Sequence, residues 1–201
     1  MTGIHHGEMH LRAVFLPVTA TSRRDLVERL GQLMLGLFLY GVALGFMVRG
    51  GIGVAPWDVL ALGVSGSSGI GYGTVTVLVS IVVLLLWIPL RQRVGLGTLL
   101  NALMVGPAAD LTLLVLPAPP TVWIGAPMFI FGLLLLAFAT GLYIAADFGP
   151  GPRDGLMTGL VRRTGWKVWI VRTLIEGSVL LVGFVLGWPV GVGTVLFAAV
   201  E

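Results

Sequence analysis

The residues best placed to do chemistry are a few charges set among long apolar runs. Two matching stretches hold the first of them, "IGVAPWDVLALG" at 52–63 and "FGPGPRDGLMTG" at 148–159. In each, a Pro precedes a carboxylate by two positions, giving Pro56 and Asp58 in one and Pro152 and Asp154 in the other. An ionised Asp at mid-membrane costs about 2.5–3.5 kcal/mol on translocon scales, so such groups usually face a cavity or a partner. A helix N-terminus by itself attracts an anion. One that already holds Asp suits a cation, a proton or a hydroxyl-bearing molecule. A plainer reading stands beside this. Pro favours the first helical position and a carboxylate there complements the helix dipole, so Asp58 and Asp154 would only start two helices.

The two stretches are not identical in charge. Trp57 in the first corresponds to Arg153 in the second, and further on Thr76 and Ser80 correspond to Arg172 and Glu176. Arg172 and Glu176 are four apart and can pair on one helix face. With a helix starting near 168, Glu176 lies roughly 12 Å along its axis, about halfway through the membrane. The pair is either a structural tie or part of a polar cluster of Arg153, Asp154, Arg172 and Glu176 that serves a substrate or a proton. Arg153 and Arg172 are also suited to bidentate binding of carboxylate or phosphate. Asp110, after "GP" at 106–107, is a secondary candidate for a relay or a satisfied carboxylate, and Asn101 for that role or for interhelical hydrogen bonding.

Other motifs carry less. "GLGT" (95–98) and "GVGT" (191–194) lack the strand and Lys of a phosphate loop, so Thr98 and Thr194 are expected as helix N-caps. His5, His6 and His10 fall in a polar N-terminal stretch where nothing fixes metal geometry. No Ser–His–Asp or HExxH arrangement is present and the chain has no Cys. Neither a metal, a cofactor nor an enzymatic activity is expected.

The elements that must position these charges follow from composition. Of 201 residues, 57% are hydrophobic and 10% charged, with mean hydropathy +1.02. Soluble domains carry about 25% charged residues, so this chain is expected to be polytopic in a lipid bilayer. A net charge of +3, scattered along the chain, does not suggest a nucleic-acid partner. The apolar runs predict crossings near 30–48, 73–90, 96–116, 122–146 and 168–187, with a sixth opening near 191. Short helical pieces near 56–65 and 152–163 span about 15 Å, half the hydrocarbon thickness, so each must be re-entrant or interfacial. Residues 1–29 read as a polar cytoplasmic tail before a retained first span. No small-residue cleavage site follows the apolar run, as a signal peptide would require.

A shift of 96 aligns the halves without a gap. Gly36 falls on Gly132, Gly45 on Gly141, Gly53 on Gly149, Pro56 on Pro152, Asp58 on Asp154 and Gly69 on Gly165. Internal repeats are the feature to seek first, and three crossings per copy would invert the second copy relative to the first. The basic residues agree with that parity, because Lys and Arg collect in cytoplasmic loops. Arg91 and Arg93, then Arg162, Arg163 and Lys167, fall on the side of the N-terminal arginines, and "PAPPT" (117–121) on the other. Arg49 alone is misplaced. The expected fold is therefore an all-α polytopic membrane protein of two inverted repeats, 30–116 and 122–201. They are joined by a periplasmic-side loop at 117–121. Each repeat holds three transmembrane helices and one half-helix, and the sixth helix is cut short at Glu201.

"GIGVAPWDVL", "IPLRQRVGLGT" and "GPGPRDGLMTGLVRRTGW" with the later "VRTLIE" and "GVGT" resemble the YczE/YyaS/YitT-type bacterial integral membrane proteins, most closely the YczE branch. The resemblance covers about 30–198. It implies a multi-pass protein of the bacterial cytoplasmic membrane and no established biochemical activity. The soluble C-terminal domain of YitT-type members has no counterpart here. Two functions are expected to compete. One is a small secondary-transporter-like protein, moving an unidentified small solute through a polar site at the repeat interface. The other is a scaffold or accessory protein whose buried charges are structural. A homodimer is left open.

Overall fold

The computed structural model describes residues 22–200. His5, His6, His10 and most of the polar N-terminal stretch lie outside the described residues. Eight helices and no strand are found among the described residues: α1 (Arg23–Gly50), α2 (Pro56–Ser68), α3 (Tyr72–Leu90), α4 (Leu96–Val115), α5 (Val122–Ala145), α6 (Pro152–Thr164), α7 (Val168–Val185) and α8 (Val192–Val200). Five of them, α1, α3, α4, α5 and α7, are long and apolar enough to cross a membrane. The described part of α8 has nine residues and reaches only about 13 Å.

The first helix starts earlier than its apolar run predicts, so 23–29 are helical. Ser22 accepts a hydrogen bond from the Asp25 N–H at 3.1 Å and caps the helix. Arg24–Glu28 and Asp25–Arg29 then pair at i,i+4 along the added turns, at 2.8 and 3.0 Å. The two half-helices, by contrast, begin at the expected prolines. Each runs 13 residues, about 20 Å, and still falls short of a crossing. Each ends on a glycine in the left-handed region, Gly69 at φ 74° and Gly165 at φ 71°, the conformation that closes helices.

The connectors before the half-helices also match at the 96-residue shift. Gly51 and Asp147 have φ of 69° and 60°, and Gly53 and Gly149 have 145° and 109°. The hydrogen bonds they make are reciprocal. Gly193 donates its N–H to the Ile52 carbonyl at 2.9 Å, and Gly97 donates to the Phe148 carbonyl at 2.9 Å. Thr194 Oγ1 accepts from the Val54 N–H at 3.1 Å, while Thr98 Oγ1 donates to the Pro150 carbonyl at 2.7 Å. Proline has no N–H, so the direction of the second bond reverses. These threonines are not N-caps. Gly95 caps α4, and both hydroxyls sit two residues into their helices, fastening one half's connector to the other half's final helix.

Helices α1 and α5 pack antiparallel along their lengths through small residues. Gly36 lies against Ala139 and Tyr143, Gly132 against Ala43 and Met47, and Gly50 against Gly125. Small residues allow this because lipid gives apolar helices little reason to associate except close packing. The half-helices cross over: α2 packs on α7, and α6 packs on α3. Arg49, misplaced by charge, ends α1 and donates a hydrogen bond to the Leu113 carbonyl in the last turn of α4, where a cation is favourable. Arg162 donates to Gln92 Oε1 and Arg163 to the Pro89 carbonyl at 3.3 Å. The end of α6 and the loop bearing Arg91 and Arg93 therefore share one face.

Candidate functional site

Helix α3 fixes where the half-helices meet. Its first residue, Tyr72, donates its phenol O–H to Asp58 Oδ1 at 3.1 Å, near the start of α2. Fifteen residues on, about 22 Å along the axis, the Trp87 indole N–H donates to the Pro152 carbonyl at 3.1 Å, at the start of α6. The N-termini of α2 and α6 are thus hung from opposite ends of one crossing helix, and Arg153 closes the gap between them. Its guanidinium reaches Asp58 Oδ1 at 3.3 Å and lies over the Trp57 ring, 5.3 Å from the centroid.

Asp58 is only 1% exposed. A carboxylate so buried needs partners, and its hydroxyl and guanidinium donors supply them. Asp154 sits differently. It is exposed and accepts the Tyr143 phenol at 2.9 Å, with no ion pair among the described residues. Its Oδ2, the Asn101 side-chain nitrogen and the Tyr143 hydroxyl converge on Gly151. On α7, Arg172 pairs with Glu176 at 2.9 Å. Thr76 and Ser80, their counterparts on α3, are buried at the same depths of about 6 and 12 Å from the helix start.

These groups surround one cavity of about 110 Å³, lined by Asp58, Arg153, Asp154, Arg172, Glu176 and Asn101 among others. Every primary candidate reaches it. Arg172 and Glu176 pair with each other and also line the cavity. Asp110 does not belong. Its carboxylate accepts the Gly73 N–H at 2.7 Å, pinning α4 to the start of α3 and facing a separate crease. The two aspartates have separate donors, Asp58 the Tyr72 hydroxyl and Arg153, Asp154 the Tyr143 hydroxyl. Among the described residues, no group of three or more His, Cys, Asp or Glu could hold a metal ion.

Sequence reasoning missed Tyr72 and Tyr143. They serve equivalent carboxylates from non-equivalent positions, since the counterpart of Tyr72 is Val168 and that of Tyr143 is Met47. The repeat could not flag them. The Asp58–Arg153 bond was equally hidden, joining residues 95 apart through tertiary packing alone.

Comparison with known proteins adds ancestry. Residues 27–200 match the model of a family of unknown function, DUF6198. An uncharacterized protein of Haemophilus influenzae is 42% identical over 167 residues, covering 83% of this chain and 76% of that one. The uncharacterized membrane protein YczE of Bacillus subtilis is 29% identical over 178 residues, covering 88% and 83%. The uncharacterized protein YyaS of the same organism is 28% identical over 171 residues, covering 81% and 83%. No solved structure matches the chain.

Proposed function

The chain belongs to DUF6198, a family of unknown function, and we propose that it is a small secondary-transporter-like protein of the bacterial cytoplasmic membrane. It moves a small solute through the cavity between the two half-helices. The observation that carries this is the cavity itself, in which both Pro-x-Asp motifs converge beside two arginines and a glutamate. Interrupted helices at corresponding places in two inverted repeats are the best sequence pointer to a transporter's central site.

Inversion has its own support. The equivalent helices α1 and α5 run antiparallel, and their contacts are reciprocal at Gly36 and Gly132. Three long helices precede the second half, an odd number of crossings. On this reading the repeats are 30–116 and 122–201, the N-terminus is cytoplasmic and 117–121 is periplasmic. Alternating access comes from rocking one repeat against the other. On this reading the protein moves its solute without converting it chemically.

The test is flux in proteoliposomes. The purified protein should give ion- or proton-coupled uptake from a panel of small solutes, and Asp154→Asn should abolish it at unchanged abundance. A second reading, a non-transporting scaffold, is favoured by the fact that Asp58 and Glu176 already lie in ion pairs. It requires that neutralising Asp58 or Asp154 lower abundance, with no flux from the intact protein.

A further inference from the structure

Beside the charged cavity runs a second space of opposite character. A groove of about 740 Å³ lies between α3 and α7, floored by α2 and α6, and Ser178 is the only hydroxyl-bearing residue among those lining it. Its walls are built from equivalent residues at the 96-residue shift, Leu60 with Leu156, Val79 with Ile175 and Val83 with Val179. On the inverted-repeat reading, the groove straddles the pseudo-two-fold axis that relates the halves, as the cavity does, and offers apolar residues from both. The two spaces also share a wall, because Trp57 and Ile175 line both. A molecule held on this axis meets fixed charge on one side of Trp57 and hydrocarbon on the other.

The charge in the cavity is selective. Asp58, Asp154 and Glu176 stand against Arg153 and Arg172, three carboxylates to two guanidinium groups, so one negative charge is in excess. Asp58 and Glu176 each have an arginine, and Asp154 has a phenol. An ammonium group balances that excess, whereas a phosphate or sulfate would add to it.

We propose that the substrate class is the ammonium-bearing amphiphile, its head at Asp154 in the cavity and a single hydrocarbon chain in the groove between α3 and α7. This rests on the transport-site reading and narrows it. Lipid tails are as apolar as the groove, so burial of the chain adds little affinity within a bilayer. Selectivity therefore lies with the head, and the groove's task is to admit the attached chain sideways from the membrane. Trp57, held over Arg153, is the part of the shared wall that must move.

The experiment uses the full chain in phosphatidylcholine liposomes with a dodecylammonium probe carrying a diazirine at its terminal carbon. Photolysis should label α3 and α7 within 75–90 and 171–179. Unlabelled dodecylammonium should compete and dodecyl phosphate, at the same low mole fraction, should not. Asp154→Asn should lower specific labelling at least tenfold, and Asp110→Asn, outside the cavity, should leave it unchanged. Should Asp154→Asn fail to elute as folded protein on gel filtration, head-group competition in the unaltered chain decides alone. Labelling that nothing competes marks ordinary lipid contact and overturns the proposal. So does absence of labelling with Val82→Cys cross-linking between copies, which assigns the groove to a second copy of the chain. Competition by butylammonium equal to that by dodecylammonium also overturns it while leaving a soluble-cation transporter intact. Competed labelling without flux of any solute keeps the amphiphile site and removes transport.

Discussion

At the residue scale, Asp58 and Arg153 hold the centre. Asp58 is buried with two donors on one oxygen, and Arg153 reaches it from the other half of the chain. A buried pair of this kind is weak evidence for net stability, but breaking it from one side is costly, about 3–5 kcal/mol, because a charge is left without its partner. Arg153→Met should therefore lower the thermal unfolding midpoint in detergent far more than the double change Asp58→Asn with Arg153→Met, which removes both charges together. Equal losses in the two variants would mean that Arg153 acts through packing on Trp57, not through its charge. Asp154, exposed and in no ion pair among the described residues, is the carboxylate whose neutral variant tests the proposed transport most directly.

At the scale of elements, the half-helices are held by close approach. Gly155, on the first turn of α6, faces the Trp87 ring, and a methyl group there would overlap the indole. That same indole holds the Pro152 carbonyl, so displacing it also releases the start of α6. Gly155→Ala should cost about 1–3 kcal/mol, the usual range for overpacking, and should reduce folded yield. Gly141, on α5, has no atom within 4 Å of where its Cβ would be. Gly141→Ala should be neutral or slightly stabilising, since Ala is the better helix former. Comparing gel-filtration profiles of the two variants after mild heating checks this. If they behave alike, the contact between α6 and α3 is looser than the geometry indicates.

For the molecule as a whole, the decisive property is the direction of the second half. The sequence has no cysteine, so a single introduced one reports its own side of the membrane. Ser67 and Arg163 are equivalent at the 96-residue shift and both are exposed near the ends of their half-helices. Single substitutions Ser67→Cys and Arg163→Cys in intact cells should react with a membrane-impermeant maleimide from opposite sides, Ser67→Cys from outside and Arg163→Cys only after permeabilisation. Reaction of both from one side would make the halves parallel and remove the central axis on which cavity and groove are placed.

The sequence by itself determined the membrane class, the five long helices, the two half-helices with their opening prolines, and the residues now found around the cavity. It could do so because these properties are local or periodic: hydropathy fixes span length, Pro and Gly fix where helices start and stop, and a fixed shift exposes a repeat. Only the tertiary structure decided the partners. That Arg153 takes Asp58, that Tyr72 and Tyr143 serve the two aspartates, that Asp110 turns away to Gly73, and that Thr98 and Thr194 tie the halves together all depend on which helix faces are pressed together. These contacts, between residues 11 to 140 apart in the chain, leave no trace in spacing, because three-dimensional packing, not the interval along the backbone, sets their distance.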